Sequence, residues 1–311
     1  MSSEAKIRRQ INWQGLSMRH LEIVNEIKLD RSHGALWLAL RSIDAFIALI
    51  EKSWSSEDFT SSLRDLYEKL LACRPSMSSI RNAALMCFKI AEEAYAKGRE
   101  MKEVIERLLR LKEYMNESKS KVAEKAVEEL SWAKSFLTHS LSSTVLEFFR
   151  RLNSSKTVVV TESRPLLEGL TTAKELASMG HKVKLITDAS AYQSSKLFNI
   201  EVFVFGADTV LNDGHVVNKS GTAQIAMAVK NLGVLNVVLC ESFKINDQLT
   251  PNEVHLEVKE PSEITTEELK GIEIFNLYFD LTPPSFIDEV IMESGVFKPP
   301  FRLLPFADKP F

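Results

Sequence analysis

Hydroxyls, a few cations and a lone carboxylate stand where the short β-branched runs of this sequence end. "VFVF" (Val202–Phe205) runs into Gly206, Ala207 and Asp208, and a turn signal at 212–214 leads on to Asn218, Lys219, Ser220, Gly221 and Thr222. The run at Ser135–Leu137 is followed by Thr138, His139, Ser140, Ser142, Ser143 and Thr144, and "TVVV" (Thr157–Val160) by Thr161, Glu162, Ser163 and Arg164. "KVKLIT" ends at Asp188, and "VLNVVLC" at Glu241, Ser242 and Lys244. Arg164, Lys219 and Lys244 are cations, and the two helix starts rich in Ser, Thr and Gly offer unpaired N–H groups; together these grip a phosphate. Asp208 stands alone at a strand tip, where it either faces a ligand or accepts backbone N–H bonds in its own turn. Each residue also has a plain explanation. The serines are N-caps, Lys219 a solvated charge, Arg164-Pro165 a helix start, and His139 a buried histidine with a fixed tautomer. Convergence on one sheet edge is what favours a site.

That convergence requires particular elements. From Ser135 onward, strands alternate with helical segments at 165–179 and 221–232, which makes a parallel sheet with crossovers on its faces. The expected fold is α/β, with a doubly wound, mostly parallel Rossmann-like sheet at 134–311. Ligands of such sheets bind beyond the carboxyl ends of the strands. The preceding stretch, 1–133, is poor in Gly and Pro. Leu36, Leu40, Ile43, Ile47 and Ile50 step at four and three residues, as do Leu63, Leu66 and Leu70. A helix spans about Ser78 to Lys97 with Gly98 after it, and 101–132 is one long helix or two joined near Asn116. The first half therefore reads as a helical bundle.

The bulk numbers narrow the function classes. With 311 residues, 26% of them charged, and a net charge of −3, the chain has no overall pull toward a polyanion, so direct nucleic-acid binding is not expected. Cys73, Cys87 and Cys240 fit no metal spacing and lie in apolar stretches, as buried free thiols of a reducing compartment do. The start, MSSEAKIRRQ, shows no secretory pattern, and no apolar run reaches the ~20 residues that span a bilayer. A cytoplasmic protein without membrane contact, metal or cofactor is expected.

Five segments carry a resemblance: "LTHSLSSTV" (137–145), "VTESRPLLEG" (160–169), "FGADTVLNDGHVVNKSGT" (205–222), "CESFKIND" (240–247) and "NLYFDLTPPSFIDEVI" (276–291). They resemble the regulatory subunits of translation initiation factor 2B, a family that also contains ribose-1,5-bisphosphate isomerase and methylthioribose-1-phosphate isomerase. "DRSHGA" (30–35) is similar to the family's Gly-Ala helix start. The resemblance implies ligand or phosphate contacts at Arg31, Gly34, Ala35, Arg164, Asn218, Lys219, Ser220 and Lys244. The isomerases pair a cysteine with an aspartate to move a proton between two sugar carbons. Asp208 matches that aspartate and would be catalytic in an isomerase; Ser140 stands at the cysteine position. An alcohol is a far weaker acid or base than a thiol of pKa ~8.5. The resemblance therefore implies first a regulatory-subunit-like protein. It would bind the alpha subunit of initiation factor 2, form a homodimer and hold a sugar-phosphate or nucleotide effector. The alternative it leaves is a sugar-phosphate isomerase of the ribose-1,5-bisphosphate type. The segment 278–297 either docks on a neighbour or covers the last sheet edge, and the Pro/Phe-rich tail from Phe297 is a covering arm or a partner contact.

Overall fold

The scarcity of Gly and Pro ahead of residue 131 yields five helices in the computed structural model, which describes residues 19–30, 33–303 and 306: α1 (Arg19–Leu29), α2 (Ala35–Ser53), α3 (Phe59–Cys73), α4 (Ser78–Ala96) and α5 (Met101–Leu130). The expected stripe of α2 faces inward, with Leu36, Ile43 and Ile50 buried and Leu40 and Ile47 packed against the same core. Leu38, Phe46 and Leu49 are buried too, so α2 is enclosed on most sides. Helix α5 is a single rod of 30 residues without a break at Asn116. Its first half places Val104, Leu108, Leu111 and Met115 in the helical core; its second half places Val122, Ala123, Ala126 and Leu130 under the sheet. This one helix thus packs into both cores.

Beyond it the chain continues as β1 (Ser135–Thr138), α6 (Ser143–Arg151), β2 (Thr157–Thr161), α7 (Glu168–Ser178), β3 (Lys182–Ile186), α8 (Ala191–Leu197), β4 (Val202–Phe205), β5 (Thr209–Leu211), β6 (Val216–Lys219), α9 (Thr222–Lys230), β7 (Leu235–Leu239), β8 (Ile245–Asn246), β9 (Val258–Lys259), β10 (Asn276–Leu277), β11 (Phe279–Thr282), β12 (Glu289–Met292) and β13 (Gly295–Phe297). The main sheet has the order β13-β12-β7-β4-β1-β2-β3 and is parallel except for the edge strand β13. Strand order reverses at β1, which pairs with β2 on one side and β4 on the other. That switch point is where a doubly wound sheet opens a ligand crevice. Segment 278–297 supplies β12 and β13 and closes the sheet edge beyond β7. Of the tail, Phe301 and Leu303 are buried against the turn at 212–214, and Phe306 lies in the helical core.

A second sheet, β11-β6-β5-β8, sits between the helices and the main sheet. Its Val217 and Phe279 are buried in the helical core, as is Phe243 just before β8. Of the polar cluster 218–222, Asn218 and Lys219 end β6, and the helix expected from 221 begins at Thr222 as α9. Cross-strand pairing with β11 keeps them extended, with Asp280 opposite Asn218 and Phe279 opposite Lys219. Helix α7 likewise begins at Glu168, not at Pro165. There a close approach decides the residue type: a Cβ on Gly169 would lie 1.8 Å from the Thr161 carbonyl oxygen. The substitution Gly169→Ala is therefore expected to destabilise the chain by about 3 kcal/mol or more, read from the urea midpoint, because backbone must move.

Candidate ligand site

Strand β1 delivers His139 and Ser140 to the switch point. The His139 ring is buried between Thr161 Oγ1, 2.6 Å from Nδ1, and the Ser220 carbonyl, 3.0 Å from Nε2. A carbonyl only accepts, so Nε2 carries the proton and Nδ1 accepts from the threonine hydroxyl. Burial lowers the imidazole pKa. The histidine is a neutral tie between strands, as the sequence reading expected.

Ser140 adopts a left-handed backbone, φ 67°, unusual for a residue with a side chain. Its N–H donates to Ser163 Oγ at 2.8 Å and its carbonyl accepts from Thr172 Oγ1 at 2.8 Å. Such over-determination is what holds a strained residue at a site. The hydroxyl then donates to Glu168 Oε2 at 3.2 Å. The first turn of α7, tucked against β2 by Gly169, puts that carboxylate in place. Glu168 Oε2 also lies 3.1 Å from Lys219 Nζ, and Oε1 accepts from Tyr278 OH at 2.7 Å. Lys219 is only 2% exposed, and its ammonium lies 3.4 Å from the centroid of the Tyr278 ring. Burial lowers its pKa, opposed by the Glu168 charge.

Asp208 follows β4, with its N–H bonded to the Val217 carbonyl at 2.9 Å. Burial above all pushes its pKa up to about 6, against the pull of Lys244 and Lys219. Those lysines are committed elsewhere, Lys219 to Glu168 and Lys244 to Glu241 at 2.9 Å. Burial alone would lower the Lys244 ammonium; the carboxylates of Glu241 and Asp208 outweigh it and raise its pKa.

Ser140 and Asp208, with Gly34 and Leu141, form the waist of a cavity with two lobes. The larger, about 110 Å³, is lined by Arg74, Glu168, Lys219, Lys259 and Tyr278 among others. The smaller, about 60 Å³, is lined by Ala35 at the start of α2, Ser142 and Ser143 at the start of α6, Gly206, Asn218 and Lys244. A Cβ on Gly206 would come within 2.6 Å of Ser142 Oγ, so the glycine lets β4 approach the α6 cap. Ser142 Oγ accepts from Val145 N and performs the expected capping as well as lining the lobe.

Seven of the expected site residues thus meet in one place: Gly34, Ala35, Ser140, Asp208, Asn218, Lys219 and Lys244. Two are placed differently. The Arg164 guanidinium donates to the Ile264 carbonyl at 2.8 Å. Ser220 contributes its backbone, to His139 and to Tyr278. Arg31 lies outside the described residues. The start of α9, one of the two candidate phosphate-holding helix ends, is already occupied: Asp280 Oδ2 accepts from Gly221 N at 2.7 Å and Ala223 N at 3.1 Å. Among the cavity residues that escaped the sequence reading are Arg74, Glu168, Lys259 and Tyr278. Glu168 and Tyr278 stand inside motifs quoted for the resemblance, but nothing in their spacing marked them.

None of the three thiols lines either lobe, and burial raises the pKa of each. Among the described residues no group of three or more His, Cys, Asp or Glu could hold a metal ion, and no helix is long and apolar enough to cross a membrane.

The Asp280 carboxyl is also pushed up to about 6, by burial, although its two N–H partners pull it down. For both aspartates the folded pKa lies above the ordinary 3.8. The stability linked to their protonation is therefore fully present below 3.8 and lost as pH rises through about 6. The difference in stability between the chain and its Asp208→Asn/Asp280→Asn variant should shift by about 2–3 kcal/mol between pH 5 and pH 8. Denaturant titrations at the two values measure it. Buried His139, with its lowered pKa, works in the opposite sense in both proteins and cancels in the comparison.

Comparison with known proteins places this architecture. Residues 31–299 match the Initiation factor 2 subunit family. A Pyrococcus abyssi protein described as translation initiation factor eIF-2B subunit 2-like is 35% identical over 286 residues, covering 91% of this chain and 97% of its own. A Thermococcus kodakarensis ribose 1,5-bisphosphate isomerase is 29% identical over 294 residues, 90% of this chain and 91% of its own. The crystal structure of a Pyrococcus horikoshii translation initiation factor eIF-2B superposes with a TM-score of 0.79 at 30% identity, covering 91% and 98% of the two chains.

Proposed function

This chain belongs to the initiation factor 2 subunit family, and from that premise we propose that it is a regulatory-subunit-like protein that holds a small phosphorylated sugar without isomerising it. Its partners in the cytoplasm are the alpha subunit of initiation factor 2 and a second copy of itself. The observation that carries this reading is Ser140. At the position where the resemblance calls for a cysteine, a hydroxyl is turned onto Glu168, and every thiol of the chain is buried elsewhere or lies away from the cavity. The remaining frame suits an anionic sugar. Arg74 supplies positive charge that no carboxylate among the described residues offsets, the start of α6 supplies N–H groups, and Asp208 and Asn218 offer partners to hydroxyls. Homodimer formation accounts for apolar side chains left exposed around the sheet domain, Leu197 and Phe275 among them.

A titration of the labelled alpha subunit of initiation factor 2 with the full chain, with and without ribose 5-phosphate, tests the partner. Saturable binding that the sugar alters supports the proposal; no association in either condition overturns the regulatory half of it. One observation favours the isomerase reading: Asp208, raised to about 6, faces Ser140 across the cavity and could exchange a proton near neutrality.

A further inference from the structure

We propose that Glu168 is a specificity-determining residue that restricts the cavity to a sugar monophosphate and discriminates against a bisphosphate. The inference rests on the reading of the cavity as a sugar-phosphate site and names the ligand class that this site takes.

The charges lining the two lobes largely cancel in pairs. Lys244 faces Glu241 at 2.9 Å, Lys259 is joined to Glu257, and Lys219 faces Glu168 at 3.1 Å. Among the described residues the cation lining the cavity without a carboxylate within salt-bridge distance is Arg74. It is 8% exposed, its Nη2 donates to the Asp30 backbone carbonyl, and its Nε has no acceptor. A bound phosphate completes that guanidinium as a bidentate acceptor. Lys219 would be the natural seat for a second phosphate, since it is buried and close to the waist. Glu168 already occupies it.

The carboxylate is held there by more than the lysine. Oε2 accepts the Ser140 hydroxyl at 3.2 Å and Oε1 the Tyr278 hydroxyl at 2.7 Å, while the backbone of its neighbour Gly169 is pressed against Thr161. A second phosphate brought to Lys219 would meet a fixed like charge in a partly desolvated cavity, where charges interact far more strongly than in water. A sugar hydroxyl at the same place would find acceptors in Glu168 and Asp208 instead. The anion is thus accepted at Arg74 and refused at Lys219.

Isothermal titration of the full chain and of Glu168→Gln with ribose 5-phosphate and ribose 1,5-bisphosphate tests this, with inorganic phosphate as a third probe. Glutamine keeps the shape and an acceptor for one of the two hydroxyls, the other turning to accept from the amide NH2, but removes the charge that holds Lys219. The native chain should bind the monophosphate at least about tenfold more tightly than the bisphosphate, and the variant should shift that ratio about tenfold or more toward the bisphosphate. Bisphosphate binding as tight as or tighter than monophosphate in the native chain overturns the proposal, whether or not the variant folds. So does a folded variant with an unchanged ratio. Failure of both sugars and of phosphate to bind overturns the sugar-phosphate reading itself and the selectivity with it; binding with no preference overturns the selectivity alone.

Discussion

The substitution Arg74→Met is expected to weaken ribose 5-phosphate binding by about 10- to 100-fold, the worth of a charge-assisted grip on an anion. Arg74 closes α3, and the chain then turns at Pro75 into α4, which brings the guanidinium into the larger lobe. Its guanidinium donates to the Asp30 carbonyl through Nη2, and its Nε is unpaired. The stability cost of the substitution should accordingly be modest, about 1.5–3 kcal/mol for one buried hydrogen bond to a charged group. Met keeps the length and the apolar stem, so a loss of binding by a chain that stays folded separates ligand contact from folding. Arg74→Lys should recover the charge but not the fork, and so only part of the affinity. Calorimetric titration beside a urea curve reads both quantities. Undiminished affinity in a folded Arg74→Met chain would place the phosphate elsewhere.

The second large effect concerns the pair beneath it. Glu168→Ala removes the charge nearest a lysine whose side chain is 3% exposed, leaving the ammonium buried against the Tyr278 ring without a carboxylate in salt-bridge contact. Breaking one half of a buried pair typically costs about 3–5 kcal/mol, and the lower end is expected here because Glu168 keeps 22% exposure. Removing both charges, in Glu168→Leu/Lys219→Met, should restore most of that loss, because neither leaves an unpaired partner. The pH dependence has a definite sign. The lysine pKa is already lowered by burial, so the charged form is the penalised one. In Glu168→Ala the deficit should shrink as pH rises and the ammonium loses its proton. Urea midpoints at pH 7 and pH 9.5 check this; additive losses in the double variant would show that the pair is not coupled.

Much of this arrangement was legible in the sequence for physical reasons. The four-three apolar step of α2 and the β-branched runs fix periods of 3.6 and 2, and alternation of strand and helix leaves few options beyond a wound sheet. The carboxyl-end rule then pointed to Ser140, Asp208, Lys219 and Lys244, and the family resemblance added Gly34, Ala35 and Asn218. The hidden parts depend on pairing between distant segments. Nothing local in Asn218-Lys219 shows that β11, some 60 residues later, will hold it extended. Nothing in Asp280 shows that it will cap α9 and close that helix end to an anion. Arg74-Pro75 carries a strong helix-stop signal that masks the side chain's second role. Arg164 shows the converse, since a cation at the right sheet edge was drawn off by the carbonyl of Ile264, a hundred residues away. Whether α5 was one helix or two could not be decided from its charge pattern; the burial of Ser118 between two cores, with its hydroxyl bonded back to Tyr114 O, shows how a polar residue is carried through the join.

The central claim is that the cavity holds a phosphorylated sugar but lacks the acid needed to move its proton. A ³¹P NMR time course of the full chain with excess ribose 1,5-bisphosphate tests it most directly, run beside Ser140→Cys and Asp208→Asn. The account predicts an unchanged spectrum over hours for the native chain, with slow conversion emerging in Ser140→Cys and faster conversion when Glu168→Gln, which admits the second phosphate, is added to it. Steady formation of ribulose 1,5-bisphosphate by the native chain, abolished in Asp208→Asn, would contradict it.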